Sequence, residues 1–139
     1  LAADTTVIFA GRILGKPVDD EEAVSMLRAL SGRTHRVLTA VAIWTGRRRL
    51  SALSSSRVRV ARLTDAAITH YVATGEPFGK AGAYAIQGWG AVYVESIQGN
   101  YSNVVGLPIP AVEACFRELD LPIERFRRHL EKGAVSPRT

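Results

Sequence analysis

Apolar positions change their period several times along the chain, and each change marks an element. Residues Val7 to Phe9 are a short β-branched and aromatic run closed by Gly11, with Ile13 and Leu14 beyond it, which predicts a buried strand and a hairpin. After Pro17, Asp19 stands three residues before Glu22, and Ala23, Met26, Leu27 and Leu30 follow at helical spacing until Gly32. This is the pattern of a capped amphipathic helix. Val37 to Ile43 is β-branched and apolar on both faces, as in a central strand covered on both sides. A turn at Trp44 to Arg47 leads to Arg57–Arg62, where arginines alternate with small apolar residues. That alternation predicts a strand with one wet face, antiparallel to its predecessor.

Thr64 is an N-cap for a helix reaching about Gly75, with Leu63 placed to staple against Ile68. A glycine-punctuated loop follows from Gly82 to Gly90, then a strand from Ala91 to Ile97 and a turn at Gly99-Asn100. From Pro110 onward, Val112, Cys115, Phe116 and Leu119 share the face of a last helix. Interleaved strands and helices with at least one hairpin predict an α/β fold, a mixed twisted sheet flanked by helices.

The length of 139 residues, 47% of them hydrophobic, suits a single core, and no apolar run is long enough for a membrane span. One cysteine, Cys115, cannot form an internal bridge, so a cytoplasmic setting is expected. The net charge of +5 favours anionic partners. Much of the excess lies in Arg47, Arg48 and Arg49 and in Arg125, Arg127, Arg128, His129 and Lys132. Neither cluster has aromatic or motif support, so nucleic acid is not expected as a partner. The chain opens on Leu1-Ala2-Ala3-Asp4 and passes directly into an apolar run, which suggests a strand already under way and a further segment before it.

Polar residues that packing does not need fall in Asp4-Thr5-Thr6, Gly15-Lys16-Pro17, Gly79 to Gly88, and Tyr101-Ser102-Asn103. Singly, each has a bland explanation. Asp4 can cap a strand start, Lys16 can be a solvated lysine or a point-charge partner for phosphate, and Gln87 can be a loop amide or a reader of a base edge. Glycines at 82, 88 and 90 would let backbone amides approach an anion, although neither a P-loop nor a dinucleotide fingerprint is present. His35, His70 and His129 share no metal-ligand spacing with one another or with Cys115, which argues against structural zinc. The run Asp19 to Glu22 is explained by the positive end of the helix it opens.

Taken in order, Ala3-Asp4-Thr5, Leu14-Gly15-Lys16-Pro17, Leu30-Ser31-Gly32-Arg33-Thr34-His35, Thr39-Ala40-Val41, Tyr71 to Pro77, Lys80 to Gly88 and Asn103-Val104-Val105-Gly106-Leu107-Pro108 closely resemble the Maf family, from the start to about Leu121. The resemblance implies a domain over 1–121 with a basic tail over 122–139. It also implies a deep nucleotide cleft like that of the inosine triphosphate pyrophosphatases, and metal-dependent hydrolysis between the α and β phosphates. Asp4 would be the catalytic carboxylate and a metal ligand for Mg²⁺ or Mn²⁺, Lys16 the phosphate-binding lysine with Lys80 a second candidate, and Thr5 and Gln87 the base readers. The segment Ala83 to Gly88 is similar to the branch acting on dTTP and UTP, whereas the 7-methyl-GTP branch carries a Lys-Ser-Glu type of loop. Gly79 departs from the family's usual aspartate. A Ser-x-x-Pro-Arg-Arg motif that grips phosphates in the family would lie in the preceding segment. The expected partners are dTTP or UTP, with a homodimer left open. The alternatives are a non-catalytic nucleotide or nucleic-acid binding protein linked to cell division control, or a pyrophosphatase for a modified nucleotide such as 7-methyl-GTP.

Overall fold

Residues 1–125 are described in a computed structural model, and Arg127, Arg128, His129 and Lys132 of the basic tail lie outside them. Strands β1 (Ala2–Phe9), β2 (Arg12–Leu14), β3 (Thr34–Trp44), β4 (Arg49–Val60) and β5 (Val94–Gln98) form one sheet in the order β2-β1-β3-β4-β5. Helices α1 (Asp20–Leu30), α2 (Asp65–Ala73), α3 (Tyr101–Val105) and α4 (Ile109–Glu118) accompany it. The α/β class holds. Every strand pairing among the described residues is antiparallel, so the parallel part of a mixed sheet is not found there. Short hairpin connections account for this in β1–β2 and β3–β4, because a parallel neighbour needs a crossover of a dozen or more residues.

The β1–β2 hairpin turns on Ala10 and Gly11, both with positive φ, +49° and +74°. This is the two-residue connection whose twist matches that of the strands it joins. Helix α1 begins as its sequence predicts: the Asp19 carboxylate accepts from the Glu22 amide at 2.8 Å, and the Glu22 carboxylate accepts from the Val18 amide at 2.7 Å. Thr64 caps α2 by accepting from the Ala67 amide at 3.1 Å, while Leu63 packs against the cluster that contains Ile68.

The core lies on one side of the sheet. Ala23, Met26 and Leu27 of α1 meet Ile68, Tyr71 and Val72 of α2, while Val41 and Ile43 of β3 meet Val112 and Cys115 of α4. Burial of each such aliphatic side chain stabilises the fold by about 1.5–3 kcal/mol. Strand β3 was expected to be covered on both faces and is not: His35, Val37, Thr39, Val41 and Ile43 are buried, whereas Arg36, Ala40 and Trp44 between them are exposed. Its second face is apolar because Leu38, Ala40 and Ala42 are small or aliphatic, but no helix among the described residues packs there.

Strand β5 begins later than the sequence suggests. A 3-10 turn over Trp89–Tyr93 replaces the first residues of the expected strand. The amides of Trp89 and Gly90 are bound by the Glu76 carboxylate and so are taken out of any ladder. Conversely β4 starts well before Arg57, because β3 supplies a partner for each of its residues from Arg49 onward.

Candidate functional site

Strand β2 pairs with β1 only over Val7, Ile8 and Phe9, which leaves one edge of β1 open over its first half. A pocket of about 310 Å³ occupies that edge. Val7 and Val37 contribute its apolar wall, and Asp4, Thr5, Lys16, Lys80 and Gln87 all line it. Residues from separate stretches of sequence therefore converge on one space, at the lower end of the volumes typical of small-ligand sites.

The strand geometry sorts them. Asp4 is paired with Ala40 and Thr5 with Thr39, so the two side chains belong to opposite faces of the sheet. Both border the pocket because it opens on the strand edge rather than on one face. The Asp4 carboxylate, Lys16 ammonium and Gln87 amide have no hydrogen-bond or ion-pair partner among the described side chains.

Thr5 is held differently. Its Oγ1 lies 2.9 Å from Thr39 Oγ1, and the Thr39 hydroxyl donates to the Asn103 carbonyl at 3.1 Å. A carbonyl oxygen only accepts, so the single Thr39 proton is committed there and Thr5 must be the donor to Thr39. Thr5 Oγ1 consequently presents acceptor capacity to the pocket. Asn103 is fully buried, and its side-chain amide donates to the Val37 carbonyl at 3.1 Å and to Ser56 Oγ at 2.8 Å. It fastens α3 to β3 and β4 and carries no exposed chemistry.

Lys16 sits in the turn after β2, which is tied to the far wall by the Gly82 amide donating to the Gly15 carbonyl at 3.1 Å. That bond joins the Lys16 turn to the segment that follows Lys80, and both lysines line the pocket. Tyr84 lines the interior, and its hydroxyl meets His35 Nε2 at 2.7 Å. Burial pushes the Tyr84 phenol up and the His35 imidazole down to about 4, so both are neutral at physiological pH.

The glycine loop does bind an anion with its amides, but the anion is the chain's own. The Glu76 carboxylate accepts from the Trp89 amide at 3.0 Å, the Gly90 amide at 2.9 Å and the Tyr71 hydroxyl at 2.7 Å. The Tyr71 oxygen in turn accepts from the Ala85 amide at 3.0 Å. Partial burial alone would raise the Glu76 carboxyl, but the Gly90 amide, Tyr71 hydroxyl, Trp89 amide and nearby Lys80 charge together hold it below its ordinary value. Sequence reasoning gave Glu76, Tyr71 and Thr39 no role in the site. Each carries a polar group beside a loop or strand of interest, yet its partners are distant in sequence.

Among the described residues no group of three or more His, Cys, Asp or Glu could hold a metal ion as a preformed cage. A single carboxylate, Asp4, lines the pocket with two lysines, and it would fit a hard divalent cation only where a bound ligand and water supplied the remaining oxygens. No helix among the described residues is long and apolar enough to cross a membrane. Arg47 and Arg48 in the β3–β4 turn and Arg49 at the start of β4 are exposed, and Arg48 lies 3.7 Å from Asp120.

A family model described as "Maf-like protein" matches residues 1–119. A protein of Polaromonas named dTTP/UTP pyrophosphatase is 55% identical over 123 residues, covering 88% of this chain and 61% of that protein. Proteins of the same name from Aromatoleum aromaticum and Shewanella denitrificans are 56% and 52% identical, covering 78% and 82% of this chain. The chain spans 53% and 58% of the length of those two relatives.

Proposed function

The chain belongs to the Maf-like protein family, and on that premise we propose that it acts in the cytoplasm as a nucleoside triphosphate pyrophosphatase on dTTP and UTP. The observation that carries this reading is the convergence of one carboxylate, two lysines and two base-directed polar groups on a single pocket.

Water attacks the α-phosphorus, the bond from that phosphorus to the bridging oxygen of the β-phosphate breaks, and pyrophosphate leaves with the electron pair. Asp4 orients the water and accepts its proton. Lys16, with Lys80 beside it, stabilises the charge that grows on the departing pyrophosphate. Mg²⁺ or Mn²⁺, held by Asp4 and the nucleotide's own phosphates, would screen the triphosphate's charge. Thr5, as an acceptor, suits the ring N–H of uracil or thymine, and the Gln87 amide can pair with the flanking carbonyl of the base.

Pyrophosphate release measured with dTTP, UTP and 7-methyl-GTP in the presence of Mg²⁺ tests the reading. Turnover of dTTP and UTP is expected, and Asp4→Asn should lower kcat by about 10²-fold or more, because only the ionisable group is lost. Undiminished turnover in that variant would remove Asp4 from the role. A preference for 7-methyl-GTP would reassign the base-reading loop.

A further inference from the structure

The loop that carries Gln87 has little of its own to hold it. Residues 84–88 form neither strand nor helix, Gln87 is exposed, and one hydrogen bond from the Gly88 amide to the Ala85 carbonyl, at 3.2 Å, closes the turn. What fixes it lies outside. Ala85 at the start of the loop is held by the Tyr71 hydroxyl, and Trp89 and Gly90 at its end are held by Glu76, which is itself hydrogen-bonded to Tyr71. A single phenol–carboxylate pair therefore grips both ends of the segment. Tyr71 is a firm base for it, being 1% exposed in the α1–α2 cluster and set edge-on to Tyr93 with ring centres 5.2 Å apart.

The glycines of the loop report how close this grip is. A Cβ on Gly88 would lie 2.4 Å from Glu76 Oε2. On Gly90 it would lie 2.6 Å from the Ala85 carbonyl oxygen and 2.8 Å from the Tyr71 hydroxyl. A side chain at Gly90 would meet the Ala85 backbone and the Tyr71 hydroxyl, and one at Gly88 would push the Glu76 carboxylate aside, so both glycines are tied to this grip.

We propose that Glu76, seated on Tyr71, is a positioning residue for substrate selection: it sets the geometry of the 85–90 loop and so the placement of Gln87 against the base. The proposal rests on the reading of Gln87 given above. Glu76 itself is not among the residues that line the pocket of Asp4 and Lys16. Loss of its grip weakens recognition of the base and leaves the chemistry at Asp4 and Lys16 largely intact. A carboxylate is needed because it accepts from two amides and a hydroxyl at once, whereas a glutamine amide must turn its NH₂ toward one of these donors.

Amide hydrogen exchange and steady-state kinetics on Glu76→Gln, and on Tyr71→Phe as a milder variant, test this. Exchange at Trp89 and Gly90 is expected to quicken about 10-fold or more in Glu76→Gln, from the loss of charge-assisted hydrogen bonds, with β3 amides unchanged. KM for dTTP and UTP should rise by a similar factor while kcat falls less than about threefold. Tyr71→Phe should move the same quantities in the same direction by less. Unchanged exchange at Trp89 and Gly90 overturns the grip, whatever the activity. Faster exchange with unchanged KM overturns the link to recognition. If the wild-type chain turns over neither nucleotide, the enzymatic reading fails, and with it the assigned purpose of the loop.

Discussion

His35 shows how a single buried residue can decide acid stability. Its side chain is 2% exposed, Nε2 is engaged by Tyr84, and burial lowers its pKa to about 4. In the unfolded chain the same imidazole takes up a proton near pH 6.5. Between those values the unfolded state binds more protons than the folded one, so stability falls as pH drops from 6.5 toward 4, by an amount on the order of 3 kcal/mol. Urea midpoints at pH 7 and pH 4.5 should show this loss in the wild type and a smaller one in His35→Gln, which lacks the titrating group. Glu76 follows the same sign at lower pH: its carboxyl, held below the ordinary value, keeps the loop gripped until pH falls below the ordinary carboxylate range. Both residues stand in plain view in the sequence, yet neither environment was legible. The Glu76 partners lie 13 and 14 residues onward, and Tyr84 lies 49 residues from His35.

At the level of elements, local chemistry was the most readable part of the chain. The Asp19 and Thr64 caps, the Leu63 contact and the buried stripes of α1 and α4 all follow from neighbours within a turn or so. Asp19→Ala should therefore cost about 1 kcal/mol in equilibrium unfolding. The hairpin at Ala10-Gly11 offers the converse change. Ala10 has φ +49°, which a Cβ disfavours, so Ala10→Gly or Ala10→Asn should raise stability by about 0.5–1 kcal/mol in the same measurement. The strand limits were less legible, since they depend on pairing. Ser54, Ser55 and Ser56 have little preference for strands and are extended because Thr39, Leu38 and Val37 lie opposite them. The start of β5 was misplaced because a distant carboxylate consumes the amides a strand would need.

Among the described residues the sheet has one face filled by helices and one that is not. Ile13, Trp44 and Leu53 are 72%, 73% and 68% exposed, and pairing places Ile13 beside Ile8 and Leu53 beside Ala40 on that second face. A fluorescent dye selective for apolar surface should bind the native chain, and Leu53→Lys should reduce the signal at unchanged stability; equal signals would show that this face is covered. An ordered set of short motifs put Asp4, Thr5, Lys16, Lys80 and Gln87 forward as candidates, whereas the open edge of β1 where they line one pocket was not legible. Pairing partners cannot be read from a strand's own residues. The division of labour along β1 has an evolutionary corollary. Adjacent residues there serve opposite faces, so inserting or deleting a single codon ahead of Thr5 would exchange acid for hydroxyl while leaving composition almost untouched. The same slip among the serines of β4 would put serine in place of serine. Lineages of this fold should consequently hold the number of residues in β1 fixed and tolerate length variation elsewhere.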